Sequence, residues 1–313
     1  MSARSRTVWR TAAAAALLLG LALGAGGLGT AQTLHRSGQS VQPVYEGWSP
    51  NPDGTYTMWF GYMNRNYEEE PHIPVGPANY LDSGPEDRGQ PTFFYPRRQF
   101  FVFGVEVPAD WGQDRDLVWT VTAHGQARTA IGSLWATWVV DEGVWRANRG
   151  SDLRGRYAGE ELTNQPPAAS IVGSTSISAT VGEPVSVTVA VADDGQPGPR
   201  EIPRRPRPPV DPLPNDLPII GGPRGGGGGG AVDQNRVSPL DAYDTGLAVT
   251  WVVHRGPADV AFDPRVTPLP REGGQVTAAA RFSAPGEYVI RAAADDSSYL
   301  TPADITVRVA AAE

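Results

Sequence analysis

Between residues 41 and 150, apolar residues recur at every second position in short runs, and no stretch there keeps a period of 3.6 residues. The first pattern is typical of strands with one buried face, whereas the second belongs to amphipathic helices. Residues 55–63, for example, alternate after the turn sequence Asn-Pro-Asp-Gly at 51–54. We therefore predict an all-β protein built as two β-sandwich domains.

The first predicted domain, residues 41–150, is rich in aromatic residues and contains seven of the nine tryptophans. Residues 100–107 are predicted to form a strand with alternate apolar side chains on one face. Residues 117–123 and 127–134 are predicted to form a hairpin, because a glycine-containing turn separates them. Residues 135–140 are predicted as a further strand. Most of the aromatic rings are expected in the core, since a sandwich without cysteine depends on packing.

A long segment without periodicity, residues 64–98, interrupts this domain and contains six prolines. Segments of this length in a compact domain are usually functional or mobile. We expect a minority of the aromatic rings to be exposed, and the candidates on this segment are Tyr67, Tyr80 or Tyr95. The candidate ligand-binding residues of this segment are Asn64, Asn66, Tyr67, Glu69, His72, Tyr80 and Tyr95.

The second predicted domain covers residues 170–310 and follows a polar linker over residues 151–169. Turn signals separate seven predicted strands, and seven short strands argue for a β-sandwich. The predicted strands lie within residues 177–192, which break at 182–184 into two strands, and at residues 247–254, 260–262, 276–283, 287–294 and 305–309.

Three stretches of this domain carry a resemblance: Val-Gly-Glu-Pro-Val at 181–185, Val-Thr-Trp at 249–251 and Ala-Pro-Gly-Glu-Tyr at 284–288. They resemble the bacterial immunoglobulin-like and PKD-like modules of secreted and surface proteins, over residues 166–309. The resemblance implies an immunoglobulin-like sandwich with Tyr288 as its corner tyrosine. Ile290 stands where antibody domains have their second cysteine, so the disulfide-linked type is excluded. The first domain resembles segments of secreted bacterial proteins, which implies no particular activity.

An insertion of different composition, residues 196–246, interrupts the second domain. It contains a proline- and arginine-rich run and six consecutive glycines at 225–230. Such a composition cannot bury a core, so we predict a disordered excursion from the sandwich. The alternative is a true linker, with residues 177–192 packed on the first domain. The number of strands favours the insertion.

The N-terminus has the three parts of an export signal. Arg4, Arg6 and Arg10 precede an apolar run at residues 12–23, which passes into small residues that end at Ala31. We predict a signal peptide over residues 1–31, with an uncleaved membrane anchor as the alternative. The chain has no cysteine, which excludes disulfides and a lipid-modified cysteine. The predicted location is exported, either periplasmic or extracellular, without an integral membrane domain after cleavage.

Charge and motif content exclude several classes of partner. The formal net charge is −8, and it becomes about −11 without residues 1–31, which contain three arginines and no acid. A nucleic-acid partner is therefore not expected. The four histidines share no metal-ligand spacing, and the glycine run lacks the lysine of a phosphate-binding loop. We predict no cofactor and no metal ligands.

The leading functional hypothesis is a non-enzymatic binding or structural protein of the cell envelope or exterior. Its partner would be an envelope glycan or protein, held by the aromatic domain and residues 64–98. The oligomeric state is left open.

The sequence is also compatible with two alternative functions. The first is a hydrolase that acts on polysaccharide through carboxylates of residues 64–98, namely Glu68, Glu69, Glu70, Asp82, Glu86 and Asp87. The second is a calcium-dependent adhesion module, in which the acid pairs at 193–194 and 295–296 bind the ion. Aspartates also begin turns readily, which gives those pairs a purely structural explanation.

Overall fold

The computed structural model describes residues 35–141, 143–145, 164–196, 246–296 and 298–312. The predicted signal peptide, most of the predicted linker and nearly all of the predicted insertion lie outside the described residues. The described residues from Arg36 onward belong to one compact unit, and of residues 1–35 only His35 is described. No helix in the described residues has the length and apolar character needed to cross a membrane.

Six strands form what we call the aromatic half. They are β1 (Val41–Pro50), β2 (Tyr56–Asn64), β3 (Asn79–Leu81), β4 (Arg97–Val107), β5 (Leu117–Ala123) and β6 (Gln126–Gly132). Strands β1, β2 and β4 make one antiparallel sheet, and β3, β5 and β6 make another. The two sheets share one hydrophobic core. The all-β prediction is confirmed.

The alternation of side chains along each strand explains which of them face the core. In β2, the side chains of Met58, Phe60 and Tyr62 are buried in the core, and Trp59 between them points to the other face of the sheet. Trp119 of β5 is fully buried against Phe60 and its neighbours. Most of the large rings are therefore core residues, as expected from a sandwich without disulfides.

The predicted strand at residues 135–140 is wrong. Residues 136–138 form a short 3-10 turn, and only Val139 makes a bridge, to Trp48 of β1. The side chains of Trp135 and Trp138 are exposed. Tryptophan and valine have a high β-propensity, which favours a strand at residues 135–140. A strand also needs a neighbouring strand to pair with, and β-propensity does not supply one.

Nine strands form what we call the C-terminal sandwich. They are β7 (Ala168–Ile171), β8 (Ser176–Thr180), β9 (Pro184–Ala192), β10 (Ala248–Arg255), β11 (Val260–Asp263), β12 (Val266–Pro268), β13 (Gly273–Phe282), β14 (Gly286–Asp295) and β15 (Leu300–Ala310). One sheet has the order β12-β10-β14-β15-β8, and the other has the order β11-β13-β9-β7. Two of these strands, β7 and β12, were not predicted, and β7 overlaps the end of the predicted linker.

Pairing across the insertion decides between the two interpretations of residues 196–246. Strand β9, which precedes it, pairs with β13, which follows it, and Val189 lies opposite Val276. Strand β8 pairs in parallel with β15. The segments on both sides of the insertion therefore belong to one sandwich, and the linker alternative is wrong. The boundaries of the two predicted domains stay a prediction.

Tyr288 makes the corner contact that the resemblance implied. Its ring is fully buried, and its hydroxyl donates to the carbonyl of Ala284 at 2.8 Å. Trp251 of β10 is also fully buried in the same core. These are features of immunoglobulin-like sandwiches at a coarse level.

The edge of β10 is completed by a segment of the aromatic half. Strand β12 pairs with β10 only at residues 248–250. Beyond that point, the Thr92 N–H donates to the His254 carbonyl at 3.1 Å, and the Val253 N–H donates to the Tyr95 hydroxyl at 2.8 Å. An open sheet edge leaves backbone groups unpaired, so these contacts satisfy groups that β12 does not reach.

The segment that covers this edge, residues 87–95, is called the edge segment below. Its side chains Phe93 and Tyr95 belong to the hydrophobic core of the C-terminal sandwich. The two rings contact each other at 5.1 Å between centroids. The edge segment therefore joins the two halves through both backbone hydrogen bonds and apolar burial.

We expect Phe93→Ala to lower the free energy of unfolding by about 3–5 kcal/mol, because Phe93 is only 4% exposed in the core between the halves. Urea denaturation followed by circular dichroism measures this change. Phe100→Ala is the matched control, since Phe100 is 39% exposed and should cost less than about 1 kcal/mol. Equal losses in the two variants would contradict the role assigned to the edge segment.

Candidate functional site

The two amides among the predicted ligand contacts are structural. Asn64 and Asn66 are fully buried. The Asn64 amide donates to the carbonyls of Glu69 and Phe94, and its oxygen accepts from the backbone and side chain of Asn66. Asn66 in turn accepts from the N–H of Gln39. Their polar groups satisfy the backbone of the long segment and are not free for a ligand.

Carboxylates of the long segment are held by partners within the protein. Glu68 forms an ion pair with Arg36 at 2.7 Å. Glu69 contacts the His124 imidazole at 2.8 Å and accepts the N–H of Gly38 at 2.6 Å. A carboxylate fixed in this way ties the start of the long segment to the chain before β1 and to the turn between β5 and β6, which is a structural role.

Glu70 differs from its two neighbours. Although Glu70 keeps part of its surface exposed, burial of the carboxyl group raises its pKa to about 7, with a further rise from Asp259 and an opposing effect from Arg265. A carboxyl group whose pKa is raised in this way can act as a general acid. Burial is the main cause of the rise, and the smaller charge effects of Asp259 and Arg265 come from the C-terminal sandwich, which sequence spacing did not indicate.

Tyr67, His72 and Tyr80 lie on the surface of the long segment. Tyr67 is exposed, and the Arg97 guanidinium lies 4.0 Å from the centroid of its ring. His72 is exposed, and its backbone forms a bridge with Phe93. Tyr80 is half-buried in β3. The structure does not bring these three side chains together with the other predicted contacts into one site.

The expectation that Tyr95 is exposed is wrong. Its ring is buried, its N–H donates to the Tyr62 hydroxyl at 2.9 Å, and its own hydroxyl accepts from Val253. Burial raises the pKa of its hydroxyl well above the ordinary value. The residue looked like a surface tyrosine because its partner strand lies more than 150 positions away in the sequence.

Charged side chains reinforce the contact of the edge segment. Arg255 binds Asp87 through two hydrogen bonds of 2.7 Å, and its Nε donates to the Gln90 carbonyl at 2.8 Å. The imidazole of His254 is buried beside the carbonyl of Gly89, at 2.9 Å. Burial lowers the pKa of His254 to about 3, with a smaller effect from nearby arginine, so the ring is neutral at physiological pH.

A cleft of about 400 Å³ opens where the two halves meet. We call it the aromatic cleft. Trp59, Phe101 and Trp145 line it from the aromatic half, and His254, Arg255 and Arg291 are among the residues that line it from strands β10 and β14. Its size falls within the range of about 300–1,000 Å³ typical of small-molecule sites. Its lining combines aromatic rings with polar side chains.

The three rings of the cleft contact one another. Phe101 and Trp145 are stacked with centroids 3.8 Å apart, and Trp59 meets Trp145 edge-on at 5.2 Å. Gly104 gives Trp59 room, because a Cβ there would lie 2.9 Å from the indole ring. The arrangement thus depends on glycine at this position of β4, where any larger residue would point its side chain into the indole ring of Trp59.

A bulge in β4 aims Phe101 at the cleft. Between the pairs Phe60–Phe103 and Tyr62–Gln99, three residues of β4 oppose a single residue of β2. Phe101 has a φ of 48°, a left-handed conformation that bulky residues rarely adopt. Such outliers persist only where the surrounding structure enforces them, and they are common at functional sites.

The carboxylate of Glu46 holds this bulge. It accepts two hydrogen bonds of 2.7 Å from Arg98 and lies 3.4 Å from the N–H of Phe101. Glu46 is itself the extra residue of a bulge in β1, between Tyr45 and Gly47. Burial raises the pKa of Glu46, and Arg98 acts against this rise. A nearly buried ion pair therefore fixes the backbone beneath the cleft.

A second ion pair forms the opposite wall. Arg291 donates to both oxygens of Asp304, at 2.7 and 2.9 Å, and to the Val102 carbonyl of the aromatic half at 2.7 Å. Burial acts to raise the pKa of Asp304, but Arg291 lowers it below the ordinary value. Asp304 is therefore ionised at physiological pH, and the charge of Arg291 is neutralised.

The alternative of a calcium-dependent module finds no support in the described residues. Within them, no group of three or more acidic or histidine side chains has an arrangement that could hold a metal ion. Asp193 and Asp194 accept N–H groups of their own turn, at Gly195 and Gln196. The structural explanation of this acid pair, that aspartate begins turns, accounts for these contacts.

Sequence reasoning missed the residues that build the cleft. The orientation of Trp59 away from the core was available from alternation, and it was the one usable signal. The bulge at Phe101, and the approach of Arg255 and Arg291 from the other half, leave no periodic trace in the sequence. The tertiary fold alone brings them together.

Comparisons with known proteins identify no family for this chain. No protein-family model matches the chain, and no curated protein matches it. Among solved structures, the D0-D1 domain of intimin is 10% identical over 85% of this chain and 97% of its own, with a TM-score of 0.24. The Yersinia pseudotuberculosis adhesin InvE is 10% identical over 88% of this chain and 60% of its own, with a TM-score of 0.22.

Domains 4 and 5 of the S-layer protein SbsC are 9% identical over 62% of this chain, with a TM-score of 0.23. The chain spans 65% of that structure, which is less than two thirds of its length. All three scores are too low to carry an argument about fold or function. The all-β class of this protein therefore rests on its own strands and their pairing.

Asp296 is a buried carboxylate at the end of β14. It is 2% exposed, and it accepts the N–H groups of Ser298 and Tyr299 and the side-chain amide of Asn164, at 2.7, 2.5 and 3.0 Å. Burial is the main cause that raises its pKa to about 6. Asn164, which was predicted to be in a linker, is buried here as its partner.

Because the folded pKa of Asp296 exceeds the unfolded value of about 3.9, the folded protein binds its proton more tightly. The free energy of unfolding should therefore fall as the pH rises from about 4 to 6. We expect Asp296→Asn to remove much of this fall, about 1–3 kcal/mol, and to be at least as stable as the wild type at pH 7.5. Urea titrations at several pH values measure it.

The control for this prediction is Asp110→Asn, at an exposed turn, which should keep the wild-type profile. A variant at Asp296 that retained the full wild-type dependence on pH would contradict the assignment of the transition to this residue.

Proposed function

We propose that this protein is an exported, non-enzymatic binding or structural protein of the cell envelope or cell exterior. The observation that carries the proposal is that the edge segment binds the C-terminal sandwich. Phe93, Tyr95 and Asp87, which lie in the segment expected to form a site, instead bind the C-terminal sandwich. Two sandwiches joined in this way make one unit suited to spacing or presentation of a surface.

Export is supported by the sequence of residues 1–31, with its arginines, apolar run and small-residue end. The mature chain has a net charge of about −11, which disfavours a nucleic-acid partner. It has no cysteine, so its folding does not depend on disulfides in any compartment. Whether the compartment is the periplasm or the exterior belongs to the same proposal and is tested by fractionation.

The non-enzymatic assignment is supported by the partners of the acidic side chains. Glu68, Glu69 and Asp87 each bind a basic side chain of the protein. The hydrolase alternative keeps one specific observation in its favour, the raised pKa of Glu70 beside Asp259. A glycosidase requires two carboxyl groups that flank the scissile bond. Substitution of Glu70 therefore distinguishes a hydrolase from a binding protein.

We expect the mature chain, residues 32–313, to cosediment with isolated peptidoglycan sacculi without releasing soluble fragments. A binding protein retains its partner without turnover, so mass spectrometry of the supernatant should match the protein-free control. Glu70→Gln should cosediment like the wild type. Fragments released by the wild type and absent with Glu70→Gln would establish the hydrolase instead, and failure to cosediment would count against a sacculus-binding role.

Fractionation tests the location separately. A tagged full chain should appear in the periplasm or medium with residue 32 at its N-terminus. Retention of residues 1–31 in the membrane fraction would support the uncleaved anchor, and a wholly cytoplasmic chain would overturn the proposal of export.

A further inference from the structure

The aromatic cleft offers its rings at the junction of the two halves, and three features of it together specify a ligand. The first is the set of rings. Trp59, Phe101 and Trp145 line the cleft, and both tryptophans are only half-buried. Aromatic faces carry partial negative charge and attract the weakly positive C–H groups of a pyranose ring.

The second feature is the balance of charge. Arg255 is paired with Asp87, Arg291 is paired with Asp304, and His254 is buried against a backbone carbonyl. The arginines that line the cleft are thus each held by a carboxylate in a two-bond arrangement. An anionic ligand would have to displace a carboxylate, and a cationic one would have to displace a guanidinium, so a neutral ligand fits best.

The third feature is the hydrogen-bonding capacity that remains. An arginine has five N–H groups, and the contacts of Arg291 with Asp304 and Val102 use three of them. A carboxylate oxygen of Asp304 accepts more than one hydrogen bond. Donors and acceptors therefore lie side by side on the wall. A hydroxyl group both donates and accepts, which suits a ligand rich in neighbouring hydroxyls.

The floor of the cleft is also preorganised. Glu46 and Arg98 hold the bulge that turns Phe101 toward Trp145, at the cost of a left-handed backbone at Phe101. Preorganised rings lose little side-chain freedom when a ligand binds. Such a built arrangement is unusual for a surface that serves packing alone.

We propose that the aromatic cleft binds a neutral oligosaccharide, with Trp59 and Trp145 against its ring faces, Phe101 stacked behind Trp145 as a support, and the Arg291–Asp304 pair on its hydroxyls. This inference rests on the proposed function and names the class of ligand. The flat rings favour β-1,4-linked sugars of the gluco configuration, because their equatorial substituents leave both faces of each ring lined by C–H groups.

The test uses the mature chain, residues 32–313, in isothermal titration calorimetry with three tetrasaccharides. Cellotetraose and chitotetraose are neutral and differ in their N-acetyl groups, so they distinguish a glucan from an aminosugar wall polymer. Tetragalacturonic acid is the anionic probe. We expect at least one neutral probe to bind with a Kd below about 1 mM and the anionic probe to bind more weakly.

The variants assign the binding to the cleft. Trp145→Ala should raise the Kd at least tenfold, and Trp145→Phe should retain part of the affinity because a ring remains. Trp135→Ala is the matched control, since Trp135 is 58% exposed outside the cleft and should leave the Kd unchanged. Circular dichroism melts of each variant show that the fold is kept.

Three outcomes would overturn the inference. They are no binding of either neutral probe by the folded wild type, tighter binding of the anionic probe, and a Kd insensitive to Trp145→Ala. If the protein still cosediments with sacculi in those cases, the proposed binding function stands and only the neutral-sugar ligand and its site are rejected. Loss of both results would reject both proposals.

Discussion

The structure depends on the way the open edge of strand β10 is covered. Strand β12 reaches only the first three residues of β10, which leaves backbone groups that no further strand of the sandwich pairs. Thr92 and Tyr95 of the edge segment supply those hydrogen bonds, and Phe93 is buried beside them. A single contact therefore protects a sheet edge, completes a core and fixes the two halves as one unit.

The buried amides of the long segment make this contact possible. Asn79 donates to the carbonyls of Ile73 and Pro91, and it accepts from the indole of Trp119. Asn64 and Asn66 act in the same way near its start. Six prolines remove backbone N–H groups from this segment, and side-chain amides pair several of its carbonyls instead.

The cleft is a consequence of the same junction. The covered edge brings His254 and Arg255 beside the bulged sheet of the aromatic half, while Arg291 reaches the carbonyl of Val102. The aromatic half supplies the three rings, and the C-terminal sandwich supplies the Arg291–Asp304 pair. Binding sites between packed units are common because the junction leaves a concave surface with groups from two sources. The edge segment therefore holds the walls of the cleft together, and its Gly89 is part of the lining.

The sequence by itself determined the all-β class and most strand positions, because alternation and turn residues act over a few neighbouring positions. The corner tyrosine Tyr288 was implied by the resemblance to immunoglobulin-like modules. Alternation along β2 also accounts for Trp59, which lies on the face opposite Met58 and Phe60. The tertiary structure alone decided that Tyr95 is buried and that Asp87 meets Arg255, which lies 168 positions away. Such contacts depend on which sheet edge is left open, and local sequence patterns carry no information about distant edges.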